Sequence, residues 1–423
     1  MLFKPHTITL VATVLLGCAT DPSGSTATSG QGGAGGDGGI GAVGGQGGAV
    51  SVGSGSGGGG PVCDPGDEDD DQDLDGFTEA QGDCNDCDAN ANPDAMEVVT
   101  AQGGGTEAPA DEDCDGLVDE PAPTCDAGLD LNSVDAWDAA RALDICQTAG
   151  NGASWGLVSA AYVRADGTPA QPGANVGLLA TFGDNLVPHS GERMLGLSSG
   201  HARDVYDVEG CGGNSCSTTG AGVPPAGFPQ AVPGCGEPPT QMRDDIALEV
   251  ALRAPSNASG YAFDFVFFSF EYPEFVCTPF NDQFVVVATP PPANAINGNI
   301  VFDNAANPVS VNLGFFGHCD PLTIEDWAKI CNVLSNTQCP PSPSPYCPFG
   351  AALLTGTGFD VWGPSAGSTG WFGTTAPVEP GELVTLRFAI WDSSDSSLDS
   401  TVVADHFRWL ATPASLGTAP IPE

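Results

Sequence analysis

The stretch GYAFDFVFFSF at residues 260–270 constrains this chain more than any other. In an extended chain, Phe263, Phe265 and Phe267 share one face and Asp264, Val266 and Phe268 the other. Past Asp264 both faces are apolar, which fits a strand covered on both sides. Residues 284–288, 383–391 and 401–410 are likewise β-branched and aromatic, and Pro, Gly and Asn bound them. Helical periodicity is confined to two short stretches. Residues 134–146 place Val134, Trp137, Ala140 and Ile145 near one face behind a cap at Ser133 or Asn132, and IEDWAKICNVL follows Thr323. Many strands and few helices predict a mainly β fold, a jelly-roll-like β-sandwich over residues 125–418. Three long connections, 200–243, 289–299 and 339–347, are rich in Pro, Gly or Cys, and disulfides are expected to pin two of them.

Three unlike segments precede that domain. Residues 1–17 read as a secretory signal, with Lys4 as the basic start and TITLVATVLL as an apolar core too short to span a bilayer. It runs into Leu15-Leu16-Gly17-Cys18. Residues 18–62 are nearly all Gly, Ala, Ser, Thr and Gln, with nothing to bury, and are expected to be a disordered linker. Its reach is on the order of 35 Å. Residues 63–124 switch to Asp and Glu, with no Lys or Arg up to Glu120.

Charge excludes one class of partner. The chain carries 54 Asp and Glu against 10 Lys and Arg, a formal charge of −44, so it repels nucleic acid and anionic membrane surfaces and attracts divalent cations. Of its 15 Cys, Cys18 is set aside by its position, and an even number remains for disulfides in an oxidising compartment.

The acidic segment carries the sharpest chemistry. Asp71, Asp73 and Asp75, followed by Gly76 and Phe77, set carboxylates at loop positions 1, 3 and 5, a glycine at the turn and a carbonyl after it. Calcium loops surround a hard cation with six to eight oxygens in this way. Position 12 is Gly82 rather than Glu, with Asp83 next, so the bidentate ligand must come from elsewhere. Asp111, Asp113, Asp115, Gly116, Leu117 and Asp119 repeat the pattern, and Asp86, Asp88 and Asn90 form a weaker third copy. The expected cofactor is Ca2+, bound at the weak extracellular level of about 10⁻⁴ to 10⁻³ M. Cys84-x-x-Cys87 among so many carboxylates reads as disulfide rather than zinc or redox chemistry.

Resemblances add to this reading. The sequence around Cys18 resembles the lipobox of bacterial lipoproteins, which implies cleavage before Cys18 and acylation of it. By the same resemblance, Ala19 after the cysteine implies outer-membrane or cell-surface sorting in a Gram-negative envelope. DQDLDGFTEAQGDCNDCDANANPDAMEV and DEDCDGLVDE, within residues 67–120, resemble the MopE-like metal-binding repeat of exported bacterial proteins. The usual cysteine after Pro93 and Glu97 is missing, and Cys87 is a candidate to compensate. No His lies in this module, so soft-metal chemistry is not expected. SFEYPEF with FNDQF, MLGLSSG, TGFDVWGPSAGSTGWFG and the residues from Pro380 to Phe407 resemble the choice-of-anchor L domain over about 150–411.

Other candidates sit in the β domain. Glu271, Glu274, Asn281 and Asp282 lie at strand ends, and Asp392, Asp395 and Asp399 in a Ser-rich loop; a second metal or ligand site and a solvated Asx-turn are both open there. Gly196-Leu-Ser198-Ser-Gly200 with His201 matches the nucleophile-elbow pattern, but no helix is expected after it. His189, His318 and His406 are isolated in sequence. The expectation is a non-enzymatic surface protein, held to the membrane by its lipid alone, that binds an extracellular glycan or surface protein. A carbohydrate-binding sandwich using Trp362, Trp371 and Tyr272 is the first alternative, and a hydrolase using Ser198 the second.

Overall fold

The computed structural model describes residues 68–99, 109–150, 154–216, 218–231, 241–272, 275, 278–280, 282–303, 306–311, 350–361 and 366–421. Cys18, the signal, the whole linker, Glu274, Asn281, Trp362, His318 and the helix expected after Thr323 lie outside them. The described residues form one compact unit.

The fold is mainly β, and the two-sheet expectation holds. Eleven strands among the described residues form two antiparallel sheets. The smaller sheet runs in the order β1 (Gly156–Val163), β4 (Met242–Arg253), β9 (Leu383–Ser393) and β6 (Gln283–Thr289). The larger runs β11 (Gly417–Pro420), β8 (Phe372–Pro377), β5 (Gly260–Ser269), β10 (Ser400–Leu410), β3 (Met194–Ser198) and β2 (Val176–Leu179), with β7 (Gly367–Ser368) also on β5. The strands read from sequence at 261–270, 284–288, 383–391 and 401–410 are β5, β6, β9 and β10.

The sheets pack face to face on one core. Phe263, Phe265 and Phe267 of β5 meet Leu248 and Val250 of β4, Phe284 of β6 and Phe388 of β9 there. On the outer face of the larger sheet, Val266 and Phe268 join a second cluster with Phe182, Phe359 and Trp371. A third cluster, including Ala389 and Trp391, covers the outer face of the smaller sheet. Every residue of β5 is therefore buried, as its two apolar faces required.

The first helix is shorter than its periodicity suggests. Helix α1 spans Ala136–Arg141, and its N-cap is Asp135, whose carboxylate accepts from Trp137 N. Asp135 captures that donor, so the first turn begins later than Ser133 or Asn132. The chain then tightens at Leu143 and turns through Asp144 at φ 64°. The buried face is Ala136, Ala139 and Ala140, while Val134 and Trp137 are exposed. Cys125–Cys146 closes the chain around this helix, and Cys211–Cys216 pins the long connection before β4.

The acidic segment is seated on the sandwich by the turn between β4 and β5. Asn257, almost fully buried, accepts from Met96 N at 3.0 Å and donates to Met96 O at 2.9 Å. Ser256 N donates to Asp94 O, and Ser256 Oγ donates to Asn92 Oδ1 at 2.8 Å.

Candidate functional site

The two DxDxDG loops fold alike. In the first, Asp71 accepts from Leu74 N at 2.7 Å and Gly76 N at 3.1 Å, Asp73 from Asp75 N, and Asp75 from Phe77 N. In the second, Asp111 accepts from Asp115 N and Gly116 N, Asp113 from Asp115 N, and Asp115 from Leu117 N. Gly76 and Gly116 hold φ of 103° and 93°, which only glycine adopts readily. Each loop wraps its backbone amides around its own carboxylates, so the sequence repeat is also a structural one.

Carboxylates from outside the first loop approach those within it. Carboxylate oxygens of Asp71, Asp73 and Asp86 lie within 4.8 Å of one another, as do those of Asp73, Asp75 and Asp83. Asp83 and Asp86 are buried. Asp83 Oδ2 and Asp73 Oδ2 are buried oxygens with no hydrogen-bond partner among the described residues. Burial, and then the neighbouring carboxylates, raise the pKa of both Asp73 and Asp83 above the usual range. Asp88 and Asn90 turn outward and bond to each other, so the weak third copy contributes Asp86 rather than a loop of its own.

The second loop gathers Asp113 with Glu97 and Glu120, two ligand candidates that reading by position overlooked. Glu97 Oε1 accepts from Asp119 N, and Glu120 Oε2 is buried without a partner among the described residues. Burial and nearby acids raise both Glu97 and Asp113. Asp115 and Leu117 are exposed. Cys84 pairs with Cys114 and joins the two loops, while Cys87 belongs to a different disulfide. The CxxC cysteines therefore do not pair with each other.

A second acidic group lies at one end of the sandwich. Glu271 follows β5, Asp282 precedes β6, Asp392 ends β9 and Asp399 precedes β10, and all four are buried. Asp282 Oδ1 accepts from Ser393 N at 2.9 Å and Oδ2 from Ser400 Oγ at 2.7 Å, while Glu271 Oε2 accepts from Asp282 N. Asp395 behaves differently: it is partly exposed and accepts from Ser397 N in an Asx-turn. The Asx-turn expected as one alternative for this loop is found at Asp395, while Asp392 and Asp399 are buried.

The histidines are not isolated in space. His189 Nδ1 and His406 Nδ1 lie 3.0 and 3.1 Å from Asp264 Oδ2, and Arg408 Nη1 donates to Asp264 Oδ1 at 3.2 Å. Despite burial, these hydrogen bonds and the guanidinium hold the Asp264 carboxyl well below the usual range. A bulge in β10 between Asp405 and Arg408 brings His406, at φ 55°, to Asp264 on the outer face of the larger sheet. Two imidazoles and a carboxylate form a ligand set for a transition metal. Arg408, however, lies 3.2 Å from His406 Nδ1 and already supplies positive charge to Asp264. The signal available in the sequence was Asp264 itself, an acid inside a strand otherwise apolar on both faces.

Ser198 is not presented as a nucleophile. It is buried within β3, its Oγ donates to Ser400 O at 3.0 Å, and it accepts from Thr401 Oγ1 and Gly200 N. His201 directs Nδ1 to Glu209 O at 2.7 Å. The aromatics considered for glycan contact are buried where described: Tyr272 is 1% exposed, and Trp371 is 5% exposed with His189 over its ring. No helix among the described residues is long and apolar enough to cross a membrane. No protein-family profile, curated protein or solved structure matches this chain.

Proposed function

We propose that this chain is a lipid-anchored, calcium-binding surface protein without enzymatic activity, whose acidic loops stiffen a β-sandwich that acts as a binding or adhesion module. The observation that carries the calcium reading is the convergence of Asp71, Asp73, Asp75, Asp83 and Asp86, with buried oxygens of Asp73 and Asp83 left without donors. An all-oxygen set of this kind suits a hard cation. Asp113, Glu97 and Glu120 support a second ion in the other loop. The lipobox-like Leu15-Leu16-Gly17-Cys18 supports the anchor.

Each part has its own test. Calorimetric titration of the full chain should show calcium uptake near 10⁻⁴ to 10⁻³ M, with a higher melting temperature in calcium than in chelator. No uptake and an unchanged melting curve would remove the calcium reading. Cys18→Ser should lose an acyl label and become soluble; continued membrane association would remove the anchor. A screen of the full chain against glycans and cell-surface proteins addresses the binding role. Saturable binding to neither class would count against it.

A further inference from the structure

At the acidic end of the sandwich all four carboxylates, Glu271, Asp282, Asp392 and Asp399, sit inside the fold, whereas among the described carboxylates of residues 71–119 only Asp83 and Asp86 are buried. Asp392 is 1% exposed, and its two carboxylate oxygens lie beside the Ser199 hydroxyl and the Asp282 carboxyl without a well-formed hydrogen bond to any described residue. The nearby Ser199 hydroxyl is committed to Ser400, accepting from its N at 2.9 Å and donating to its O at 3.4 Å. Asp399 is nearly as buried: its Oδ2 accepts from Cys216 N at 2.7 Å, and its Oδ1 has no partner among the described residues. No ion pair to Glu271, Asp282, Asp392 or Asp399 occurs among the described residues. An uncompensated buried carboxylate costs several kcal/mol, and here several face one another.

We propose that Glu271, Asp282, Asp392 and Asp399 form a buried site for one hard divalent cation of the calcium type, which clamps the two sheets together. Asp282 and Asp392 belong to the smaller sheet, and Glu271 and Asp399 flank strands of the larger one, so an ion among them bridges both. The donors are all oxygen. The adjacent sulfurs, Cys211 and Cys216, are tied in a disulfide and offer no thiolate, which disfavours soft metals. Irregular carboxylate geometry suits Ca2+ better than Mg2+, which demands a near-ideal octahedron. A small pocket on the surface has Asp399 in its wall, beside Ser198, Phe270 and Thr401, so one of the four carboxylates borders solvent-accessible space. This site does not depend on calcium binding by the DxDxDG loops.

The experiment uses the full chain with Asp71→Asn and Asp111→Asn, which silence the loops. Calcium per chain is counted by equilibrium dialysis at pH 7.5, and melting is followed in calcium and in chelator. The background protein should bind one calcium that Asp392→Asn does not. In chelator, Asp392→Asn should melt above its parent, because a buried charge is gone; in saturating calcium the order should reverse. An equal ion count in parent and variant overturns the proposal, as does a variant that melts higher under both conditions. Should Asp392→Asn not fold, amide exchange in the parent decides. Exchange at residues 391–400 must slow on calcium addition but not on magnesium addition at the same concentration, and no slowing overturns the proposal.

Discussion

Asn92 stands between a carboxylate loop and the sandwich: its Nδ2 donates to Asp75 Oδ2 at 2.8 Å, and its Oδ1 accepts from Ser256 Oγ. Asn92 is fully buried, so neither bond has water as a substitute. Asn92→Ala should destabilise the chain by about 1–3 kcal/mol, the penalty for stranding a buried polar partner. It should also weaken calcium uptake, because Asp75 loses its orientation. Denaturant titration with calorimetry measures both. Lower stability with intact uptake would separate docking from ion binding.

The Cys84–Cys114 bridge joins the two loops over 30 residues of chain. Closing such a loop restricts the unfolded chain, which is worth about 3–4 kcal/mol. Replacing both cysteines with serine should lower the melting temperature and reduce calcium affinity, with the larger loss in chelator. Equal melting of the variant and the parent would show that the loops are held without the bridge.

Asp405 makes stability depend on pH in a direction unusual for a carboxylate. Burial and then Asp144 push its pKa up to about 7, against the opposing bonds from the backbone amides of His189, His406 and Ser190. The folded state therefore favours the proton. The contribution is fully present below the unfolded pKa of about 3.9 and is lost as pH rises through about 7, a change on the order of 4 kcal/mol. Asp405→Asn should flatten the fall in stability between pH 4 and 8, whatever its absolute level. Urea titrations across that range test this, and parallel slopes for the two proteins would refute it.

Phe265 crosses the interface between the sheets, with ring centroids 5.2 Å from Phe284 and 5.9 Å from Phe372. Phe265→Ala should cost about 3–5 kcal/mol through lost burial and the cavity left behind. Phe265→Leu should cost far less. Thermal unfolding of the two variants against the parent makes the comparison.

The strands were legible because burial on both faces leaves its mark residue by residue, as along β5. The Asp loops were legible because both sequence and backbone repeat there. What sequence could not show were groups assembled by tertiary folding. Asp264 meets His189 across 75 residues and His406 across 142, and neither spacing resembles a metal motif. Glu97 reaches Asp113 from outside its loop, and Glu120 follows Asp119 at a loop position not expected to supply a ligand, so counting loop positions passed over both. The first helix was overread because its apolar periodicity extends beyond the turn at Asp144.

β5 pairs with β10 and β8, and both partners lie far downstream in the chain. When this strand leaves the ribosome, part of its apolar packing surface, including β4, has already been made, but both of its edges stay unpaired until most of the domain has followed. Such long-range pairing is slow, and an unpartnered apolar strand is prone to aggregate. Residues 260–270 therefore carry an aggregation hazard that lasts until β8 and β10 arrive.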